Sequence, residues 1–187
     1  MPLHPNFPTS PHAIVDPAAR VLFETFRKAV NASTVRDAST VAIDSVIRLR
    51  QTRPFVVREQ GYLVPKKSVF NRIIGDGGFE LKFAQFLENC RDVVAYAKNY
   101  LAVGFRLDYV NSHGNITNYY PDFLVKLTDG RVVIVETKGR EELELPRNIE
   151  RLRQWCEDVN RAQSAVWYGF VYVDQAGFEK YRPKALL

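Results

Sequence analysis

Cysteine is scarce in this chain of 187 residues, and so are histidine, methionine and tryptophan. Cys90 and Cys156 lie far apart, and with His4, His12 and His113 they form no zinc-ligand spacing. That argues against a disulfide scaffold and a structural zinc module. Two reduced thiols in an intracellular core are expected instead. No stretch approaches the ~18 consecutive apolar residues of a membrane span, so no membrane partner is expected. The N-terminus holds prolines and histidines, not a basic segment followed by an apolar one, and does not read as a secretory signal. A cytoplasmic protein is the expectation. No Gly-x-x-x-x-Gly-Lys-Ser/Thr loop occurs, so no ATP site of that kind is expected in this chain.

What is present is the mix of a soluble globular protein, 46% hydrophobic and 25% charged. A wholly disordered chain is excluded. The net charge is +5, and the whole excess falls before residue 79. A basic flank beside a neutral region suits a polyanion such as nucleic acid.

Along the chain, 1–15 reads as a loose tail, 16–53 as a helical extension and 54–187 as the main domain. Asp16-Pro17 resembles an N-cap with proline at the first helical position. Leu22, Phe23, Phe26 and Val30 follow at helical spacing. Thr34-x-x-Asp37 resembles a capping box that opens a second helix to Arg50, stopped by Arg53-Pro54. Residues 55–57 and 62–64 read as short strands. Gly75-Asp76-Gly77-Gly78 is a break. A helix with Phe79, Phe83, Phe86, Leu87 and Cys90 on its apolar face comes next. Strands are expected at 103–110, 117–127 and 131–138, with a turn at His113-Gly114-Asn115. A helix is expected from about Pro146 to Asn160, then a strand at 166–173 covered on both faces, then a short helix at 175–181. This is an α/β pattern with a mixed sheet flanked by helices.

The hairpin over 119–139 carries the chemistry. Thr128-Asp129-Gly130 suits a three-residue loop with glycine in the left-handed position. That loop pairs Leu127 with Arg131 and sets Asp122 opposite Glu136. Alternation then puts Asp122, Glu136 and Lys138 on one face. A two-residue loop at Asp129-Gly130 would instead separate the two acids. Facing carboxylates repel, and burying them unpaired is costly. A divalent cation between them resolves the conflict, and oxygen ligands favour magnesium or manganese. The competing view is that Lys138 simply neutralises Glu136 at a strand edge. Glu80 shares a helical face with Phe83, Ala84 and Leu87, and two roles are open to it. It would join the metal site, or cap its own helix at the third position.

Pro121-Asp122 followed by Glu136-Thr137-Lys138, on adjacent strands after a helix bearing Glu80, resembles the PD-(D/E)XK nuclease superfamily. More closely, residues 55–182 resemble the C-terminal endonuclease domain of the restriction subunit of type III restriction enzymes. That likeness rests on Phe79-Glu80-Leu81, Lys98-Asn99-Tyr100, Tyr120-Pro121-Asp122-Phe123, Glu136-Thr137-Lys138-Gly139-Arg140 and Arg153-Gln154-Trp155-Cys156.

The resemblance implies a restriction-endonuclease-like core with an N-terminal helical extension and magnesium-dependent hydrolysis of DNA. Asp122, Glu136 and the Thr137 carbonyl would hold Mg2+ (Mn2+ substituting), with Glu80 at a second metal or a metal-bound water. Lys138 would position water or stabilise charge, since two neighbouring acids favour its protonated form. The family implies an ATPase/helicase motor and a methyltransferase as partners, neither present in this chain, which would then be a fragment, an excised domain or a stand-alone relative. A homodimer is compatible with cutting both strands. The alternative is a catalytically silent DNA-binding or subunit-interaction module of the same fold. Candidate phosphate contacts are Arg140, Arg147, Arg151 and Arg153, with Lys66, Lys67 and Arg72 from the basic flank. Glu141, Glu142, Glu144 and Glu150 lie among the first group as competing partners. Gln154 is a candidate to line the site. Tyr119, Tyr120 and Trp155 read as core, with Tyr120, opposite Lys138, also a candidate wall of the site.

Overall fold

The computed structural model describes residues 21–26, 28–29, 42–43, 45–56, 61–75, 77–138 and 144–187. The chain divides into two compact units, Met1–Asp37 and Ala38–Leu187. In the first, residues 21–26 and 28–29 are helical, as the spacing of Leu22, Phe23 and Phe26 predicts. The tail over 1–15, the Asp16-Pro17 cap and the Thr34-x-x-Asp37 box lie outside the described residues.

The second unit is organised around a mixed sheet of four strands, β3 (Val93–Lys98), β6 (Phe123–Leu127), β7 (Val132–Lys138) and β8 (Tyr168–Asp174), in the order β3-β6-β7-β8. β3, β6 and β7 are antiparallel neighbours, whereas β8 runs parallel to β7. A parallel pair needs a long crossover, and helix α2 (Leu145–Ala162) supplies it. Helix α1 (Gly78–Asn89) precedes the sheet, and α3 (Gln175–Tyr181) follows β8. Two short antiparallel pairs complete the unit: β1 (Tyr62–Leu63) with β2 (Ile73–Ile74), and β4 (Leu107–Val110) with β5 (Ile116–Tyr119).

Alternation along the strands builds two cores. Phe123, Val125, Val133 and Val135 pack with Phe83 and Leu87 of α1 and with Phe178 of α3. Leu124 and Ile134 belong to the second cluster, with Leu152 and Cys156 of α2 and Tyr168 and Phe170 of β8. Each such fully buried side chain is worth about 1.5–3 kcal/mol. β7 is covered on both faces, which is why its sequence is a nearly unbroken apolar run. Both cysteines are free and buried, with burial pushing the Cys90 thiol up to about 11 and Cys156 to about 12.

Several expectations are corrected. The outer antiparallel strand is 93–98, not 103–110. Residues 107–110 pair with 116–119 in a separate hairpin inserted between β3 and β6. The single strand expected over 117–127 is interrupted at Tyr120-Pro121-Asp122, because Pro121 has no N–H to give a ladder. The second helix does not reach Arg50 as a helix. The described residues from 42 to 48 are not helical, and only a 3-10 turn forms at Leu49–Gln51. Ile43, Val46 and Ile47 are β-branched, poor helix formers, and remain exposed. Phe55 and Val56 form no strand, and Val57 lies outside the described residues. β8 is mostly half-buried, because it sits at the edge of the sheet.

Candidate active site

The site grows from the hairpin β6–β7. Gly130 takes φ +89, and Leu127 N–H donates to the Arg131 carbonyl at 2.9 Å. The loop is therefore the three-residue form, with Phe123 paired to Val135 and Leu124 to Ile134. Val133, Val135 and Thr137 then face α1, while Ile134, Glu136 and Lys138 face the α2 side.

Asp122 stands just before β6, where Pro121 has ended the preceding segment. Asn99 pins this junction. Its N–H donates to the Asp122 carbonyl at 2.7 Å, and its Nδ2 to the Pro121 carbonyl at 2.8 Å. The Asp122 carboxylate reaches across to β7. Its Oδ2 accepts from the Thr137 N–H at 2.8 Å and from the Thr137 hydroxyl at 2.5 Å.

Glu136 is 1% exposed. Its Oε1 lies 3.1 Å from the Lys138 ammonium, and its Oε2 accepts from the Tyr119 hydroxyl at 2.8 Å. Burial pushes the Glu136 carboxyl up to about 7, and the Asp122 charge adds to that. Lys138 and Tyr119 offset part of the rise. Burial also drives the Tyr119 hydroxyl well above its ordinary range, helped by Glu136, so it stays a donor. Asp122, Glu136 and Lys138 are thus brought together. Oxygen donors dominate, and two carboxylates repel at a buried position, which fits a hard divalent cation. The residues able to hold one are Asp122, Glu136 and the Thr137 carbonyl.

Glu80, the further candidate for the metal set, lies on α1. Among the described residues, no three of His, Cys, Asp and Glu gather in a metal-holding group. Glu80 sits at the third position of α1, as the capping alternative requires, and its carboxylate meets the Lys98 ammonium at 3.0 Å. Lys98 pairs with Phe123 in the sheet, and its ammonium lies 5.5 Å from that ring's centroid. The pair therefore belongs to the α1 face, across the sheet from Glu136.

Two site residues escaped the sequence reading. Lys98 is buried at the end of an apolar run, Val93-Val94-Ala95-Tyr96-Ala97, and that run was the available signal. Tyr119 read only as core, which it partly is, and nothing local marks its hydroxyl as a partner of Glu136.

The basic candidates scatter. Arg140 lies outside the described residues. Arg147 is 4.0 Å from Glu144, and Arg153 is 3.5 Å from Glu150. Arg151 Nε donates to the Asp108 carbonyl at 2.9 Å, tying the β4–β5 hairpin to α2. Ser112 in that hairpin's loop donates to Glu144 from both its N–H and its hydroxyl. Lys66 and Lys67 donate backbone N–H groups to Glu88, and the Lys67 ammonium bonds the Cys90 carbonyl at 2.5 Å. That is the far end of α1, where Glu88 lies about 12 Å along the helix from Glu80. Arg72 lies over the Tyr62 ring. Gln154 is exposed, and its amide donates to Asp158 at 2.9 Å. Tyr120 is half-buried, and it is its neighbour Tyr119 that reaches Glu136.

Residues 90–163 match the family model described as TnsA-like endonuclease N terminal. No curated protein and no solved structure matches the chain. The matched span runs from the end of α1 through α2 and contains Lys98, Asp122, Glu136 and Lys138. The mixed sheet with flanking helices is a restriction-endonuclease-like fold. Together, fold and match support a restriction-endonuclease-like nuclease acting on DNA.

Proposed function

We propose that this protein hydrolyses DNA phosphodiester bonds with Mg2+ or Mn2+ held by Asp122, Glu136 and the Thr137 carbonyl. The observation that carries the reading is Glu136, buried and raised to about 7 beside a second carboxylate. A fold gains nothing from such a conflict unless a cation joins it. A bound cation would supply polarisation of the scissile phosphate and a water of lowered pKa. The chain's own residues do the rest. Thr137 fixes one oxygen of Asp122, and Tyr119 fixes one oxygen of Glu136. Lys138, held by Glu136, places a positive charge where the phosphate gains negative charge. Glu80 and Lys98 brace α1 against the sheet behind the site.

The finer assignment, the cleavage domain of a type III restriction enzyme with motor and methyltransferase partners, is supported by the likeness over residues 55–182. It predicts that cutting is stimulated when those partners are supplied with ATP.

The test is supercoiled plasmid incubated with Mg2+ or Mn2+. Wild type should nick or linearise it, and Lys138→Ala and Asp122→Asn should each lose about a hundredfold or more in rate while remaining folded. Cutting that survives both substitutions would remove the assignment.

A further inference from the structure

Arg48, Arg50 and Arg53 fall within six residues, and all three are exposed. Among the described residues, none of their guanidinium groups meets a carboxylate or lies over a ring. The arginines of α2 differ, since Arg147, Arg153 and Arg161 face Glu144, Glu150 and Asp158. Three like charges on one short segment, none paired among the described residues, repel each other, which favours an anionic ligand.

The segment is anchored rather than loose. Leu49 packs on the core cluster that contains Ile134 and Leu152. The 3-10 turn at Leu49–Gln51 leaves the flanking arginines exposed. Phe55 lies 5.0 Å from the Tyr100 ring and 6.1 Å from Phe70. Tyr100 follows Asn99, which holds the Pro121-Asp122 junction. The segment borders an open depression of about 490 Å3 lined by Ile47, Arg48, Gln51, Arg53, Phe55 and Val103. Five residues at about 2.0 to 3.3 Å each span roughly 10–16 Å, about three to five base-pair rises along the axis of a duplex.

We propose that Arg48, Arg50 and Arg53 form a phosphate-binding patch that grips the DNA backbone beside the Asp122–Glu136 site. The nature of the polyanion rests on the nuclease reading, and the patch itself on the unpaired charges and their anchoring. The test is binding of a fluorescent duplex in metal-free buffer, from about 50 to 200 mM salt. Wild type is compared with Arg48→Ala/Arg50→Ala/Arg53→Ala. The control, Lys82→Gln/Arg131→Gln/Arg161→Gln, removes the same charge from sites already paired to Glu179, Asp129 and Asp158.

The patch variant should bind at least about tenfold more weakly, with a slope of log affinity against log salt flatter by about 2–3. The control should change the slope by less than about 1. Circular dichroism and thermal melting establish that both variants are folded. Unchanged affinity and slope in the patch variant would overturn the proposal and leave the segment to another class of partner. Equal loss in the control, or no DNA binding by wild type, would overturn it as well. Because binding is read without metal, a wild type that binds duplex here but never cuts plasmid with Mg2+ or Mn2+ would sink the nuclease reading and leave the patch standing.

Discussion

Glu136 concentrates the site's energetics in one side chain. Its carboxyl moves from an ordinary value of 4.5 to about 7, first through burial and then through the Asp122 charge. The folded state therefore holds a proton that the unfolded chain has lost between those two values. Stability falls as pH rises through that window, by about 3 kcal/mol in total, and the penalty is complete above about 7. Glu136→Gln removes it. In metal-free protein at pH 8, urea unfolding should find the variant more stable than wild type by about 1–3 kcal/mol. Near pH 4 the two should be alike. A variant less stable at pH 8 would show that Lys138 and Tyr119 already neutralise the carboxylate.

Between elements, the Glu80–Lys98 pair is the contact to weigh. It fastens the first turn of α1 to the end of β3, with both side chains largely out of water. Lys98→Met removes the ammonium that meets a largely buried carboxylate and should cost up to about 3–5 kcal/mol in chemical denaturation. Adding Glu80→Gln should recover most of the loss, because a pair replaced at both ends leaves no orphaned charge. A small cost for the single variant would mean that Glu80 swings out to water, which the packing of Phe79 and Phe83 beside it opposes. β-strand alternation puts Lys98 and Thr137 on the α1 face and Glu136 on the other.

For the molecule as a whole, a cation that binds only the folded state must stabilise it by mass action. At a hundred times its dissociation constant the gain is about 2.7 kcal/mol. For a chain of this size that raises Tm by roughly 5–10 °C. Wild type should show this shift with Mg2+ or Mn2+ and lose it on adding chelator. Asp122→Asn should melt at one temperature in either buffer. A shift shared by both proteins would place the cation away from this site. The charge layout points the same way as the fold. The basic excess lies ahead of the sheet, and the acids that would hold the cation lie within it.

The local code was sufficient for β6, β7 and their loop. Thr128-Asp129-Gly130 sets the register, because only glycine takes the left-handed angle readily there, and period-two alternation then places Glu136 and Lys138 together. The α1 and α2 stripes were legible for the same reason: periodicity survives whatever the partner is. What sequence could not decide was pairing across distance. Val93–Lys98 and Leu107–Val110 are both apolar segments bounded by breaks, and only the sheet determines which of them lies beside β6. That choice makes Lys98 the partner of Glu80. It also turns β4–β5 into the arm that delivers the Tyr119 hydroxyl to Glu136. The amino-acid sequence by itself determined the hairpin that carries the acids and the lysine. The tertiary structure alone decided which neighbours hold them, because contacts between segments far apart in the chain leave no local period to read.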